Sequence, residues 1–153
     1  MGEHKMSAKG SLKARKTAAR LFAVQAVYQA IQNKEAPSKL YDEYIQHRIG
    51  MDLEEGQMVA PDQSLFRSVL SGVTERWGDL QQMITPRLKA QNEVEPLLTA
   101  ILVCGTFELL AHKDIDSPII ISDYLNITGS FFESSEPKLV NAVLDGLSKE
   151  LRK

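Results

Sequence analysis

The stretch from Glu95 to His112 constrains the fold of this chain more than any other, because it is almost entirely apolar. After Pro96, its only charged residue is Glu108, so a helix formed from it would have almost no polar side. Such a helix belongs in the interior of a helical bundle. Pro96 suits the first helical turn, where its missing N–H group is not needed. Gly105 weakens a helix by about 1 kcal/mol relative to Ala, and we interpret it as a notch where the backbone of a neighbouring element comes close.

The length and the cysteine content indicate one ordinary domain. The chain has 153 residues, enough to bury a core without disulfides or metals. Its single cysteine, Cys104, lies in the apolar stretch, and we predict a buried core residue rather than a nucleophile. No window approaches the ~18 continuous apolar residues of a membrane span, and the N-terminus lacks an apolar signal-peptide core. We therefore expect a soluble, cytoplasmic protein.

Charge is unevenly distributed along the chain. Residues 1–20 hold six Lys and Arg residues against one Glu, a net charge of +5, while the rest hold 12 basic and 19 acidic residues, a net charge of −7. We expect residues 1–10, which are polar and lack periodicity, to be a disordered basic arm. Residues 11–153 then form a single all-helical domain. A basic arm either contacts phosphate groups or only increases solubility, and charge alone does not decide between the two.

The periodicity of the apolar residues predicts an all-α fold of six or seven helices in which no strand is convincing. The first helix is expected to begin at the N-cap Ser11 and to end near Asn33. Three later helices and the last one have their own expected N-caps, which are Ser38, Asp62, Ser117, and either Ser134 or Ser135.

The helix that follows Asp62 is predicted to continue unbroken through Gly72 and Gly78 to Ile84, because apolar residues keep helical spacing throughout. Two loops are predicted from their polar composition and their turn-forming residues. They are residues 50–61 and residues 129–136.

Residues that could carry catalysis or bind a metal are scattered. His4, His47 and His112 lie far apart in the sequence, and the chain has no HExxH, CxxC or glycine-rich phosphate-binding motif. We therefore predict no cofactor, no metal, no small-molecule substrate and no enzymatic activity. The sequence is that of a binding protein.

Cationic residues at the start of the first helix form the candidate binding surface. Lys13, Lys16 and Arg20 are spaced three and four residues apart, so they share a stripe along the helix. Cations at a helix N-terminus oppose the helix dipole and slightly weaken the helix. Such a misfit is what a phosphate-binding surface would show.

Five segments, in order and with matching spacing, resemble the NusB family of transcription antitermination factors. The resemblance spans about residues 13–147, and the segment near the C-terminus is the most specific. The segments are Ala19-Arg20, Ala23-Val24-Gln25-Ala26-Val27-Tyr28-Gln29, Phe107-Glu108-Leu109-Leu110, Asp114-Ile115, and Glu136-Pro137-Lys138-Leu139-Val140-Asn141-Ala142-Val143-Leu144-Asp145.

The resemblance implies a fold of two packed helical subdomains and a role in transcription. It implies binding to the boxA RNA of ribosomal RNA leader transcripts together with NusE, a small-subunit ribosomal protein. Through them the protein would act indirectly on the antitermination complex of RNA polymerase. The implied RNA-binding residues are Lys13, Arg15, Lys16, Arg20 and Lys138, and the implied NusE-facing residue is Tyr28. The chain departs from common family residues at Thr17, Ala18, Leu21, Val103, Ser122, Asp123 and Ser135. Because Thr17 and Ala18 stand where many members have Arg, its arm carries fewer charges than usual.

Two other interpretations remain open from the sequence. One is a helical protein-docking module with an incidental basic tail. The other is a stand-alone relative of the N-terminal RNA-binding domain of ribosomal RNA cytosine methyltransferases. Phe131 and Phe132 bear on the choice, because exposed rings beside cations could stack on unpaired RNA bases, whereas buried rings would only fill the core.

Overall fold

The computed structural model describes residues 10–49, 59–88, 94–133 and 135–153. Within those ranges the chain forms seven α-helices, joined by short 3-10 and π-helical turns, and it contains no strand. Two compact units divide the chain, residues 1–71 and residues 72–153. The predicted all-α class, with six or seven helices in two subdomains, is confirmed. The expected disorder of residues 1–10 falls outside the described residues, except for Gly10.

Helix α1, Leu12–Asn33, begins where the sequence predicts. The side chain of Ser11 accepts a hydrogen bond from the Ala14 N–H at 3.1 Å, which satisfies one of the free N–H groups of the first turn. The helix ends at Lys34, which adopts a left-handed conformation with φ of 58°. The small or apolar residues of α1 that are buried are Ala19, Phe22, Ala23, Val24, Ala26, Val27 and Ala30.

The next helical segment starts earlier than expected. It opens with a 3-10 turn, Pro37–Leu40, continues as the short α2, Tyr41–Glu43, and ends in a π-helical turn, Tyr44–Ile49. The N-cap is Ala36, without a side-chain hydrogen bond. The prediction of a cap at Ser38 is therefore wrong, because Pro37, whose fixed φ suits a first helical position, already starts the turn.

Tyr44 organises the aromatic core of the first unit. Its buried ring lies 6.3 Å from that of Phe22 in an edge-on arrangement and 5.9 Å from that of Phe66. These centroid distances are in the favourable range for aromatic pairs. The Tyr44 hydroxyl donates to the Gln29 side chain at 3.2 Å, so the buried ring keeps a polar partner.

Helix α3, Gln63–Glu75, and helix α4, Trp77–Ile84, replace the single helix predicted from the sequence. The cap at Asp62 is confirmed, since its carboxylate accepts the Leu65 N–H at 3.0 Å. The break falls at Arg76, whose φ of −111° and ψ of 21° are not helical. Apolar spacing continues on both sides of Arg76, so periodicity alone does not reveal the break. A 3-10 turn, Thr85–Arg87, then ends this region.

Helix α5, Pro96–Ala111, is the central helix of the second unit and packs against α4, α6 and α7. Every residue from Ala100 to Leu109 is buried, as its apolar composition predicts. A Cβ atom added at Gly105 would lie 3.0 Å from Leu144 Cδ1 and 3.5 Å from Tyr124 Cδ2. The notch at Gly105 therefore exists, but side chains fill it rather than a neighbouring backbone.

Helix α6, Ser117–Phe131, and helix α7, Ser135–Leu151, complete the second unit. The cap of α6 is Asp116 and not the predicted Ser117, so the helix begins one residue earlier than expected. It also continues through Gly129, which lies in the segment predicted as a turn. Ser135 is the first residue of α7, and the alternative cap, Ser134, lies outside the described residues.

Arg152, at the end of α7, joins three segments of the second unit. Its guanidinium donates to the carbonyl oxygens of Leu109 at 2.9 Å, His112 at 2.8 Å and Ile115 at 2.6 Å. It also donates to the Ser117 hydroxyl at 3.2 Å. One side chain thus satisfies carbonyl groups that the C-terminus of α5 leaves free.

Candidate nucleic-acid interface

Two lysines in the first turns of α1 have exposed surface. Lys13 is exposed and Lys16 is half-buried, and no acidic residue lies in the first turn. The N-terminus of a helix has a partial positive charge and free N–H groups. The two ammonium groups add to that charge, so this end of α1 attracts anions.

Arg15 makes hydrogen bonds within the protein. Its Nε donates to the Ala60 carbonyl oxygen at 3.1 Å, and its own carbonyl oxygen accepts the Asp62 N–H at 3.0 Å. Both partners precede α3 in the sequence and both lie in the first unit. Sequence reasoning grouped Arg15 with the cations and gave no sign of this role, because the hydrogen bond joins residues 45 positions apart.

Arg20 is buried, with 2% of its surface exposed. It shares the helical stripe of Lys13 and Lys16 by spacing, but the core covers the helix by this point. The adjacent Ala19 and the nearby Phe22 are buried as well. In this structure the Arg20 side chain offers an RNA molecule almost no surface, unlike the two lysines.

Lys138 and Phe131 lie in the second unit. Lys138 is exposed in the first turns of α7, near Glu136, whose carboxylate accepts a hydrogen bond from the Ser135 hydroxyl at 3.0 Å. Phe131 closes α6 with 42% of its surface exposed, while Phe132 is half-buried. One ring is thus available at the surface. The convergence of Lys138 with the cations of α1 stays a prediction.

Tyr28 is the exposed aromatic residue of α1. It has 36% of its surface exposed, whereas the preceding Val27 is fully buried. An exposed tyrosine next to a buried residue of the same helix offers both apolar area and a hydroxyl to a partner. The position is suited to a protein contact.

Cys104 lies in the core and is not a nucleophile. Burial, with a smaller contribution from the nearby Glu108 carboxylate, raises the pKa of its thiol well above the ordinary value of 9.0. The thiolate, which is the reactive form, is therefore suppressed at neutral pH. Across the residues that the structure describes, no cluster of three His, Cys, Asp or Glu side chains could hold a metal ion. None of the helices in those ranges is long and apolar enough to cross a membrane.

Comparisons with known proteins address the family directly. The sequence model of the NusB family matches residues 17–149. The transcription antitermination protein NusB of Sinorhizobium medicae is 40% identical over 138 residues, which cover 88% of this chain and 86% of that protein. Its namesake from Sinorhizobium fredii is 41% identical, with the same coverage.

A solved structure agrees on the fold. The structure of T. maritima NusB superposes with a TM-score of 0.72, covering 90% of this chain and 93% of that chain at 22% sequence identity. At that identity the likeness shows the fold alone. The family model matches most of the chain, and the relatives are more than a third identical to it over 88% of its length. The chain therefore belongs to the NusB family, whose members are transcription antitermination factors and not enzymes.

Proposed function

We propose that this protein binds the boxA element of ribosomal RNA leader transcripts together with NusE, and that the pair acts on the antitermination complex of RNA polymerase. The observation that carries the proposal is the pair of cations in the first two turns of α1. Lys13 and Lys16 lie there at the positive end of a helix without an acidic residue to balance them. Phosphate groups are the natural ligands of such a site. A factor acting on nascent transcripts works in the cytoplasm.

The proposed RNA-binding residues differ in exposure and in their contacts with the protein. Lys13, Lys16 and the exposed Lys138 contact phosphates as point charges, which gives affinity without sequence preference. Arg20, at 2% exposure, offers RNA almost no surface in this conformation, so we expect it to contribute little direct contact. Arg15 contributes charge from a guanidinium whose Nε is already bonded to the protein.

Phe131 supplies the contact that could distinguish bases from backbone. Single-stranded RNA is recognised when unpaired bases stack on aromatic rings beside cations. Phe131 has the required exposure, and Lys138 follows at the start of the next helix. Stacking on this ring would favour a single-stranded element over a duplex.

NusE is the proposed protein partner and contacts the surface around Tyr28. The cationic footprint of this chain is small, and linking two RNA-binding surfaces raises the affinity of both. We therefore expect NusE to strengthen RNA binding. A docking module without RNA affinity would bind NusE equally well but leave RNA free.

The experiment is a binding titration with labelled boxA RNA and a scrambled RNA of equal length, each with and without NusE, at one fixed salt concentration. The proposal expects tighter binding of boxA than of scrambled RNA, and a larger preference with NusE present. A boxA-to-scrambled affinity ratio near one with NusE present would refute the proposal, because the cationic surface would then be only a charged tail.

A further inference from the structure

Two reciprocal hydrogen bonds tie the first turn of α1 to a four-residue segment, Val59-Ala60-Pro61-Asp62, which we call the 59–62 bracket. The Arg15 Nε donates to the Ala60 carbonyl oxygen at 3.1 Å. In return the Asp62 N–H donates to the Arg15 carbonyl oxygen at 3.0 Å. Ala60, which accepts the first of these bonds, and the following Pro61 are buried. Arg15 is thus held by both its side chain and its backbone.

The bracket is itself fixed to α3. The Asp62 carboxylate accepts the Leu65 N–H at 3.0 Å, and the Asp62 carbonyl oxygen accepts the Phe66 N–H at 3.0 Å. An N-cap of this kind sets the direction in which the chain enters a helix. The hydrogen bonds of the bracket therefore fix the position of the first turn of α1 relative to the beginning of α3.

Gly10 adds a third contact, immediately before the α1 cap. Its φ of +92° is a conformation that L side chains rarely adopt. A Cβ atom added there would lie 2.7 Å from Val59 Cγ1 and 3.2 Å from Val59 Cγ2. The chain thus enters α1 through a turn that favours glycine, and this turn lies against the side chain of the first residue of the bracket.

Arg15 does not share the stripe of the two lysines. At 3.6 residues per turn it lies about 160° around the helix from Lys13 and about 100° from Lys16. Its Nε is directed to the bracket, whereas Lys13 is exposed. An arginine that only added positive charge to the surface would not need this hydrogen bond to the protein.

We infer that Arg15 is a positioning residue for RNA binding, which rests on the proposed function. By holding the first turn of α1 on the 59–62 bracket, it sets where the Lys13 and Lys16 ammonium groups meet the phosphates. The bracket and Gly10 both contribute to positioning the first turn of α1. Loss of Arg15 therefore removes more phosphate contacts than one charge accounts for.

The first test compares Arg15→Gln with Lys13→Gln, which remove the same charge and introduce the same residue. The affinity for boxA RNA with NusE is measured as a function of salt. Lys13→Gln should lower the slope of log K against log salt by about 0.7, the value for one contact on a single strand. Arg15→Gln should lower it by roughly 1.4 or more, since a neighbouring lysine loses its contact as well.

The second test changes no charge. Gly10→Ala should weaken boxA binding about three- to tenfold, because its side chain displaces the turn against Val59, and adding Val59→Ala should restore part of the loss. Gly78→Ala is the control, since an added Cβ at that exposed glycine meets nothing within 4 Å. Melting curves establish that each variant is folded at the assay temperature.

The outcomes separate the inference from the proposed function. Wild-type protein that shows no preference for boxA refutes the proposed function and the inference with it. Wild-type protein that binds boxA while Arg15→Gln and Lys13→Gln give equal slopes refutes the inference alone. A lower melting temperature of Arg15→Gln with an unchanged slope also refutes it, because Arg15 would then only stabilise the fold.

Discussion

The hydroxyl of Tyr124, on α6, donates a 2.6 Å hydrogen bond to the carboxylate of Glu108, on α5. Glu108 is fully buried, and its other carboxylate oxygen lies 3.0 Å from His112 Nδ1. A carboxyl group in the core is tolerated only when its oxygens have hydrogen-bond partners. The one charged residue of the central helix is therefore held by the side chains of Tyr124 on α6 and of His112, which directly follows α5.

We expect Tyr124→Phe to lower the free energy of unfolding by about 1–3 kcal/mol, because the buried carboxyl group loses a close donor. Urea denaturation of both proteins measures the difference. Tyr44→Phe is the matched control, since it removes a longer bond, 3.2 Å, to the neutral Gln29 side chain. A loss for Tyr124→Phe no larger than that for Tyr44→Phe would contradict the prediction.

Gly105→Leu tests the notch between α5, α6 and α7. Even a Cβ at this position approaches Leu144 and Tyr124 at 3.0 and 3.5 Å, so a full leucine side chain overpacks the core. We expect the free energy of unfolding to fall by about 1–3 kcal/mol, which a lower melting temperature would show. Gly78→Leu should leave stability unchanged or raise it, since the site is open and Leu favours a helix more than Gly does. Equal melting temperatures for the two variants would rule out the notch.

Arg152→Lys tests the contacts at the end of α5. A lysine keeps the charge but cannot direct several N–H groups to the carbonyl oxygens of Leu109, His112 and Ile115. We expect the free energy of unfolding, measured by urea denaturation, to fall by about 1–3 kcal/mol. The control is Lys149→Ala, which removes an exposed ion pair with Asp145 and should cost under about 0.5 kcal/mol. Similar losses for both variants would show that Arg152 acts only through its charge.

The buried thiol of Cys104 makes the stability of the protein depend on pH in the alkaline range. Its pKa in the folded protein is raised by burial above the ordinary 9.0, so above that pH the thiol of the unfolded chain ionises while the buried thiol stays protonated. The contribution of Cys104 to stability is therefore complete below pH 9 and is lost as pH rises further, by at most about 1.4 kcal/mol per pH unit. Cys104→Ala should show a smaller loss between pH 9 and pH 11 by urea denaturation. Parallel curves for the two proteins would contradict this.

Features encoded by neighbouring residues could be predicted from the sequence. The buried helix α5 follows from a continuous apolar stretch, and the caps Ser11 and Asp62 follow from a polar residue before a periodic segment. Ser38 and Ser117 are not caps because Ala36 and Asp116 occupy the N-cap positions, which places both serines inside the helical segments. Boundary positions depend on a single backbone conformation, which composition does not determine.

Features that depend on distant residues could not be predicted. Spacing places Lys13, Lys16 and Arg20 on one stripe, but it does not show how far along α1 the core extends, so the burial of Arg20 came from the structure alone. The hydrogen bonds of Arg15 to Ala60 and of Arg152 to Leu109 likewise join residues 45 and 43 positions apart. An arginine directed at a backbone carbonyl leaves no pattern at its partner's position.

The last prediction concerns Phe131, whose exposure makes stacking on RNA testable without disturbing the core. Base stacking on an aromatic side chain contributes about 1–3 kcal/mol per base, so Phe131→Ala should weaken boxA binding roughly tenfold in the presence of NusE. Phe131→Tyr keeps the ring and should bind as the wild type does. Because no charge changes, the salt slope should stay the same for all three proteins.

The matched control for Phe131→Ala is Ile119→Ala on the same helix. Ile119 is 52% exposed and Phe131 42%, so both truncations remove apolar area from the surface of α6, but isoleucine cannot stack on a base. We expect Ile119→Ala to bind RNA as the wild type does, with melting temperatures of both variants close to that of the parent. If Phe131→Ala also binds with wild-type affinity, the ring makes no base contact and RNA recognition by this chain rests on its cations alone.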